Sequence, residues 1–308
     1  MSTKPYNKTA LTFAQQVDLL EARGLNVGNR REAEALLSRV SYYRLSAYWL
    51  LFKLVPGDRF EDTASLAEAE RLYEFDRRLR LLVMDAIERV EIAVRTTVTY
   101  HLVHAYGPYG HEASVNFHPQ FRHPEWIDKL HREAERSEET FILHYENTYD
   151  GFPSLPLWVA SEVMSLGSLS VLFRGLHHDD KRAVAGSYRV HHRVFGDWLH
   201  TLSYVRNLCA HHGRLWNRDL AIKPTMPEPR NPRSPTTEER CWIPPALPDR
   251  HHVYGVLLIL RYLLRHHQAG SHWSGRVQAL LTEMDSHPRW QVAMGLPANW
   301  RTHSFWTT

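Results

Sequence analysis

From Leu66 to His104 the chain contains no glycine and no proline, and apolar residues recur at helical intervals: Leu66, Ala69, Leu72, Phe75, Leu79, Leu82, Ala86, Val90, Ala93 and Val94, then Val98 and Leu102. That spacing is the signature of a helix that buries one face. Read as one helix, the segment has ~40 residues and is roughly 60 Å long. Two helices joined by a bend fit the same pattern. An element of this length leaves little room for anything but other helices packed along it.

The rest of the sequence reads the same way. Thr12 and Gln15 have capping-box spacing, and Gly24 offers a stop. Asn29 and Glu32 repeat that spacing at the head of "NRREAEALLSRVSYYRLSAYWLLF", read as one helix that ends at "VPGDRF". A loop, "YGPYGHEASVNFHPQFRHP", precedes a polar helix from about Glu125 to Tyr145. After "DGFPSLP" comes one apolar helix, "LWVASEVMSLGSLSVLFRGL", then a short helix around Asp180 to Tyr188. From Val194 to His212, Phe195, Trp198, Leu199, Leu202, Val205, Leu208 and Cys209 share a face. Prolines exclude regular structure from "KPTMPEPRNPRSPTTEERCWIPPALP". Two helices, about His251 to His267 and Ser274 to Asp285, complete an all-α chain. The expected organisation is an N-terminal helical region packed on the core (1–60), a helical core (61–220), a proline-rich loop (221–250) and C-terminal helices (251–308).

Composition narrows the function classes. Hydrophobic residues make up 43% and charged residues 23%, enough apolar material for a sizeable core. A formal charge of +3 does not by itself argue for nucleic acid, although 21 histidines add positive charge near neutral pH. Cys209 and Cys241 form no C-x-x-C pair, so neither a zinc ribbon nor a disulfide framework is expected. "MSTKPYNKTA" lacks an apolar core, and the most apolar run, Val253 to Leu264, is interrupted by Arg261 and too short to span a bilayer. A cytoplasmic protein with no membrane partner is expected.

Chemistry concentrates in "SYVRNLCAHHGRLWNRDL", residues 203–220. On a helix Asn207 and His211 are one turn apart, close enough for an amide-to-imidazole hydrogen bond that fixes the histidine tautomer. Arg206 leaves the helix ~140° from His211. Either its side chain curls round, or a second copy of the helix supplies part of the site. The residue types suit phosphate. A guanidinium forks onto phosphate oxygens, and an imidazole exchanges protons near neutral pH. RNA brings its own nucleophile, the 2′-OH, so a base, an acid and a cation suffice without a metal or other cofactor.

The flanking residues admit two readings each. His212, Arg214, Trp216, Asn217 and Arg218 make either a partly buried basic helix exit or an RNA contact. In the second case Arg214 and Arg218 hold flanking phosphates, Trp216 stacks on a base or packs in a dimer seam, and Asn217 caps the segment after the turn. Glu88, Glu91 and Arg95 share a face of the long helix, either as an ordinary ion pair or as a set that orients Arg206. A carboxylate opposes a phosphate, so Glu91 is expected to face away from the scissile group. Tyr42, Tyr43, Tyr48 and Trp49 read mainly as core. Arg77, Arg78 and Arg80 read as a solvated face or an electrostatic track for RNA. The histidine pairs 177–178, 191–192, 251–252 and 266–267 point ~100° apart on a helix and do not suggest a metal site. His101 and His104 are better spaced but lack an acidic partner set.

"VRNLCAHHGRLWNR" resembles the signature of the Abi-like family of bacterial abortive-infection proteins, AbiD/AbiF type, within the HEPN superfamily. The hallmark there is Arg, a polar residue, three more residues and His, matched by Arg206, Asn207 and His211. "QQVDLLEARGLNV", "VSYYRLSAYW", "FDRRLRLLVMDAIERVEIAVRT" and "LWVASEVMSLGSLSVLF" resemble further family blocks in order, so the likeness spans roughly residues 10 to 220. The resemblance implies a HEPN-type helical bundle, a homodimer with a shared active site, and a metal-independent endoribonuclease acting as a toxin in antiviral defence. It also implies RNA as substrate and an antitoxin or regulatory RNA as a further partner. A HEPN protein that holds RNA or a partner without cutting is the alternative.

Overall fold

A computed structural model of the chain describes residues 9–307 except 231, 235, 237, 238, 245 and 268–271. The first eight residues, parts of the proline-rich loop and the side chain of His267 therefore lie outside the described residues. Fourteen α-helices and no strand occur among the described residues, as an all-α chain requires. The chain forms two compact units, one up to Arg78 and one from Leu79 onward.

The first unit holds α1 (Phe13–Ala22), α2 (Arg30–Val40), α3 (Tyr42–Trp49) and the start of α4 (Leu66–Tyr106). The Thr12–Gln15 capping box closes in both directions, and the Asn29 side chain accepts from the amides of Arg31 and Glu32. The segment read as one helix after Asn29 is two. Ser41 sits at φ +67°, outside the helical region, and its hydroxyl accepts from the amide of Arg44 to start α3. Tyr48 and Trp49 are core residues, while Tyr43 is exposed. The Tyr48 hydroxyl donates to Asp76 at 2.7 Å, partnering a carboxylate that has no exposed surface.

The long periodic segment is a single helix. α4 has 41 residues, begins where the Ser65 hydroxyl accepts from the amide of Glu68, and ends before Gly107 at φ +80°. Its buried stripe is the expected one, except that Val83 takes the core position of Leu82, and Leu82 and Ala93 are half-buried. Arg80 is buried, so Arg77, Arg78 and Arg80 do not form one solvated basic face.

The second unit continues with α5 (His123–Glu135), α6 (Thr140–Thr148), α7 (Leu157–Val163), α8 (Leu166–Gly175), α9 (His178–Gly186) and α10 (His192–Ala210). The polar helix and the apolar helix of the sequence reading are each two helices. Ser165 divides the apolar one, because its hydroxyl accepts from the amide of Ser168 and caps α8. α10 packs on α8 through Phe173 and Phe195, whose ring centroids are 5.1 Å apart. Phe195, Trp198, Leu199, Leu202 and Val205 have essentially no exposed surface. Each such side chain contributes about 1.5–3 kcal/mol by leaving water.

The C-terminal region belongs to this unit. α11 (Val253–His267), α12 (Trp273–Thr282), α13 (Pro288–Met294) and α14 (Ser304–Thr307) follow a loop in which Glu239–Trp242 form a 3-10 turn. The last two helices are too short for periodicity to reveal. Trp198 of α10 meets Trp242 and Tyr262, each with centroids 5.6 Å away, and its indole N–H donates to the Thr225 carbonyl at 2.8 Å. The indole of Trp273 donates to the Leu82 carbonyl at 2.7 Å, fastening α12 to α4. No helix among the described residues is long and apolar enough to cross a membrane.

Candidate active site at the end of α10

α10 ends in a tight exit that sets the two histidines apart. His211 is the C-cap, with φ −87° and ψ 14°. His212 takes the left-handed conformation at φ +55°. The amide of Gly213 then reaches the Leu208 carbonyl at 2.8 Å, and that of His212 reaches the Cys209 carbonyl at 3.0 Å. This is the paired bonding of a Schellman motif, usually completed by glycine rather than histidine at the left-handed position. A side chain at residue 213 would place its Cβ 3.1 Å from the Leu208 carbonyl oxygen, which accounts for the glycine there. His211 is exposed, and its ring has no hydrogen bond or ion pair among the described residues.

The hydrogen bond expected between Asn207 and His211 is not made. The Asn207 amide oxygen accepts from the Arg206 guanidinium at 3.3 Å instead, between side chains adjacent in sequence. Asn207 thus steadies the arginine, not the histidine tautomer.

Arg206 faces α4. With Met84, Asp85, Ile87, Glu88, Glu91, Ile92 and Arg95 it lines a cleft of about 490 Å³. The structure therefore joins four of the sequence-selected residues, Arg206, Glu88, Glu91 and Arg95, and leaves His211 off the wall of that cleft. Burial pushes the Glu91 carboxyl above the ordinary carboxylate range, and Glu88 adds to the shift. Arg95 and Arg206 pull in the opposite direction.

Arg95 is the fixed member of the group. It bonds Glu91 at 2.9 Å, the Met164 carbonyl at 2.9 Å and Glu162 at 3.3 Å. It thereby ties α4 to the C-terminus of α7. Glu162 and Met164 lie 67 and 69 positions along the chain, so no local pattern points to them.

The remaining candidates are dispersed. Trp216 has no exposed surface, so in this structure it is a core side chain rather than a stacking platform. Arg214 and Arg218 are half-buried, and the Arg218 Nε donates to the Arg214 carbonyl at 2.9 Å. The side-chain oxygen of Asn217 is buried and caps nothing among the described residues. His212 is exposed. His101 and His104 serve different partners, Asp180 at 2.7 Å and the Tyr100 carbonyl at 2.7 Å. No group of three or more His, Cys, Asp or Glu among the described residues is placed to hold a metal ion.

Fold and site together define a class: an all-helical protein with an arginine and a histidine displayed at the end of one helix, beside a carboxylate-lined cleft on a long neighbour. A family model described as Abi-like protein matches residues 35–217, more than half of the 308 residues. The chain belongs to the Abi-like protein family. No curated protein and no solved structure matches it.

Proposed function

We propose that this protein is a metal-independent endoribonuclease of the abortive-infection type, built on the HEPN plan. The observation that carries the reading is the exposed His211 ring, five positions beyond Arg206 and without a side-chain partner among the described residues. Family membership supports the abortive-infection role.

In the proposed reaction an imidazole removes the proton of a ribose 2′-OH, and the O2′–P bond forms. The P–O5′ bond breaks, and the departing oxygen takes a proton from a second imidazole. The products are a 2′,3′-cyclic phosphate and a 5′-hydroxyl. Arg206 takes up the charge that builds on the non-bridging oxygens. One chain offers a single His211, so the second imidazole comes from a second copy in a homodimer. Glu88 and Glu91 repel phosphate, so the strand meets Arg206 on the His211 side and not inside the cleft. An antitoxin or a regulatory RNA keeps such an activity in check in the cytoplasm.

Arg206 lies in a cleft with Asp85, Glu88 and Glu91 and without His211, and this separation of the two groups favours one further reading, a HEPN protein that holds RNA without cutting it. Incubation of the protein with labelled RNA in excess EDTA separates the two. Cleavage should persist in EDTA, give cyclic-phosphate ends, and disappear in His211→Ala and Arg206→Ala proteins that remain folded. A chelator-sensitive cut, or one that survives His211→Ala, sinks the nuclease reading. Salt-dependent binding with no product at any pH supports the holding role.

A further inference from the structure

The second unit has another cavity, of about 630 Å³, formed by residues 118–122, α5, α8 and the first turn of α9. This volume suits a small molecule. The cavity shares no lining residue with the Arg206 cleft.

Its wall is cationic. Arg122, Lys129, Arg174 and Lys181 line it against one carboxylate, Glu125. Glu125 is already engaged by Arg122 at 3.2 Å. Lys129 donates to the Ser168 hydroxyl at 3.0 Å and lies 3.5 Å from Glu133. Arg174 and Lys181 have no carboxylate at ion-pair distance among the described residues. Lys181 is half-buried, and burial holds its ammonium below the ordinary lysine range. A cation taken partly out of water without a counter-ion is costly, and an anion in the cavity relieves that cost.

The other wall is aromatic and rigidly seated. A Cβ at Gly175 would come within 2.6 Å of the Phe121 ring, so the ring lies directly on the glycine. The amide of His118 donates to the Gly175 carbonyl at 2.9 Å, and that of Phe121 to the His118 carbonyl at 2.8 Å, which fixes the turn that carries the ring. Trp126 stands behind, with its centroid 6.0 Å from that of Phe121. Phe121 keeps part of its surface open, whereas Trp126 is buried.

We propose that this cavity binds a nucleoside phosphate, with the phosphate between Arg174 and Lys181 and the base against Phe121. Guanidinium and ammonium groups supply charge-assisted bonds to phosphate oxygens, and an open aromatic face accepts any base. An inorganic anion or a sugar phosphate makes no use of the ring. The ligand is either a free nucleotide or the terminal nucleotide of an RNA.

Calorimetric titration of the 308-residue protein with adenosine monophosphate, inorganic phosphate and a 5′-phosphorylated trinucleotide tests this. Adenosine monophosphate should bind more tightly than phosphate. Arg174→Ala and Lys181→Ala should each weaken it about tenfold or more. Phe121→Ala should bring it toward the affinity of phosphate. A trinucleotide that matches or exceeds the monophosphate identifies an RNA end as the ligand, and a weaker one identifies a free nucleotide. Circular dichroism confirms folding of each variant, and Arg174→Glu provides a second variant at a position exposed to solvent. His211→Ala should bind like wild type whether or not the protein cuts RNA, which separates this site from the α10 exit. The proposal is overturned by absence of binding at millimolar monophosphate, or by affinity unchanged in the Arg174 and Lys181 variants. It is equally overturned by binding that is lost in His211→Ala.

Discussion

Replacing Arg95 by alanine removes a side chain that bonds α4 to the end of α7. The side chain is 14% exposed and its partner Glu91 17%, so solvent screens the pair only weakly. Breaking a buried pair by removing one partner costs about 3–5 kcal/mol. Glu162 is 53% exposed and adds at most about 1 kcal/mol. Arg206 remains near Glu91 as a counter-charge and offsets part of the loss. The net expectation is a destabilisation of about 2–4 kcal/mol at pH 7.5, read by urea denaturation with an unchanged m-value. The loss also depends on pH. The folded pKa of Glu91 is raised above its unfolded value, and removing Arg95 raises it further. Between the unfolded value, about 4.3, and the folded one, the folded state binds more protons. The cost of ionising Glu91 therefore grows as pH rises through the folded pKa, and the variant should lose less stability at pH 5 than at pH 7.5. Glu91→Gln in the same background should recover part of the loss. A deficit below about 1 kcal/mol, or one equal at both pH values, refutes this account of the cleft.

Three further outcomes are expected. Trp216→Ala should cost about 3–5 kcal/mol in thermal or urea unfolding, because the ring is wholly buried; a change in RNA affinity with stability intact would place the ring on the surface instead. Gly213→Ala should cost about 1–3 kcal/mol and alter the His211 imidazole resonances in NMR, since the new Cβ crowds Leu208 at the helix exit; a silent substitution would mean the exit is loose. His192 is held neutral down to about 4, chiefly by burial, with the charges of its neighbours acting in the same direction. Its folded pKa lies below the unfolded value of about 6.5, so the stability it contributes above pH 6.5 is lost as pH falls toward 4. His192→Gln should flatten that loss in a pH series of urea midpoints, and an unchanged slope would assign it elsewhere.

The helical class and the extent of the periodic run were legible because one face repeats for the whole run without a breaker, whereas its being one helix and not two with a bend is settled only by the structure. Breaks carried by serine were not legible. Ser41 and Ser165 end or restart helices through backbone angle and hydroxyl caps, and neither interrupts the apolar rhythm around it. The association of Arg206 with Glu91 was partly visible, since the carboxylates lie on one helix face and the arginine needs a partner. Its setting was not, because Glu162 and the Met164 carbonyl come from a distant segment. The two readings of Trp216 could not be separated by sequence, because an aromatic ring beside arginines looks alike in a core and on an RNA face; burial decides between them. Arg174 and Lys181 belong to different helices and have no shared motif, so their meeting in one cavity is a product of tertiary packing alone.

The indole proton of Trp198 ends on the carbonyl of Thr225, eight positions past the last family residue, and its ring rests on Trp242 and Tyr262 beyond that. A fragment trimmed at Asn217 would strip the apolar jacket from the very helix that presents Arg206 and His211. Expression of the family segment by itself should therefore give sticky, poorly behaved protein, and the smallest piece able to work on its own must retain the tail.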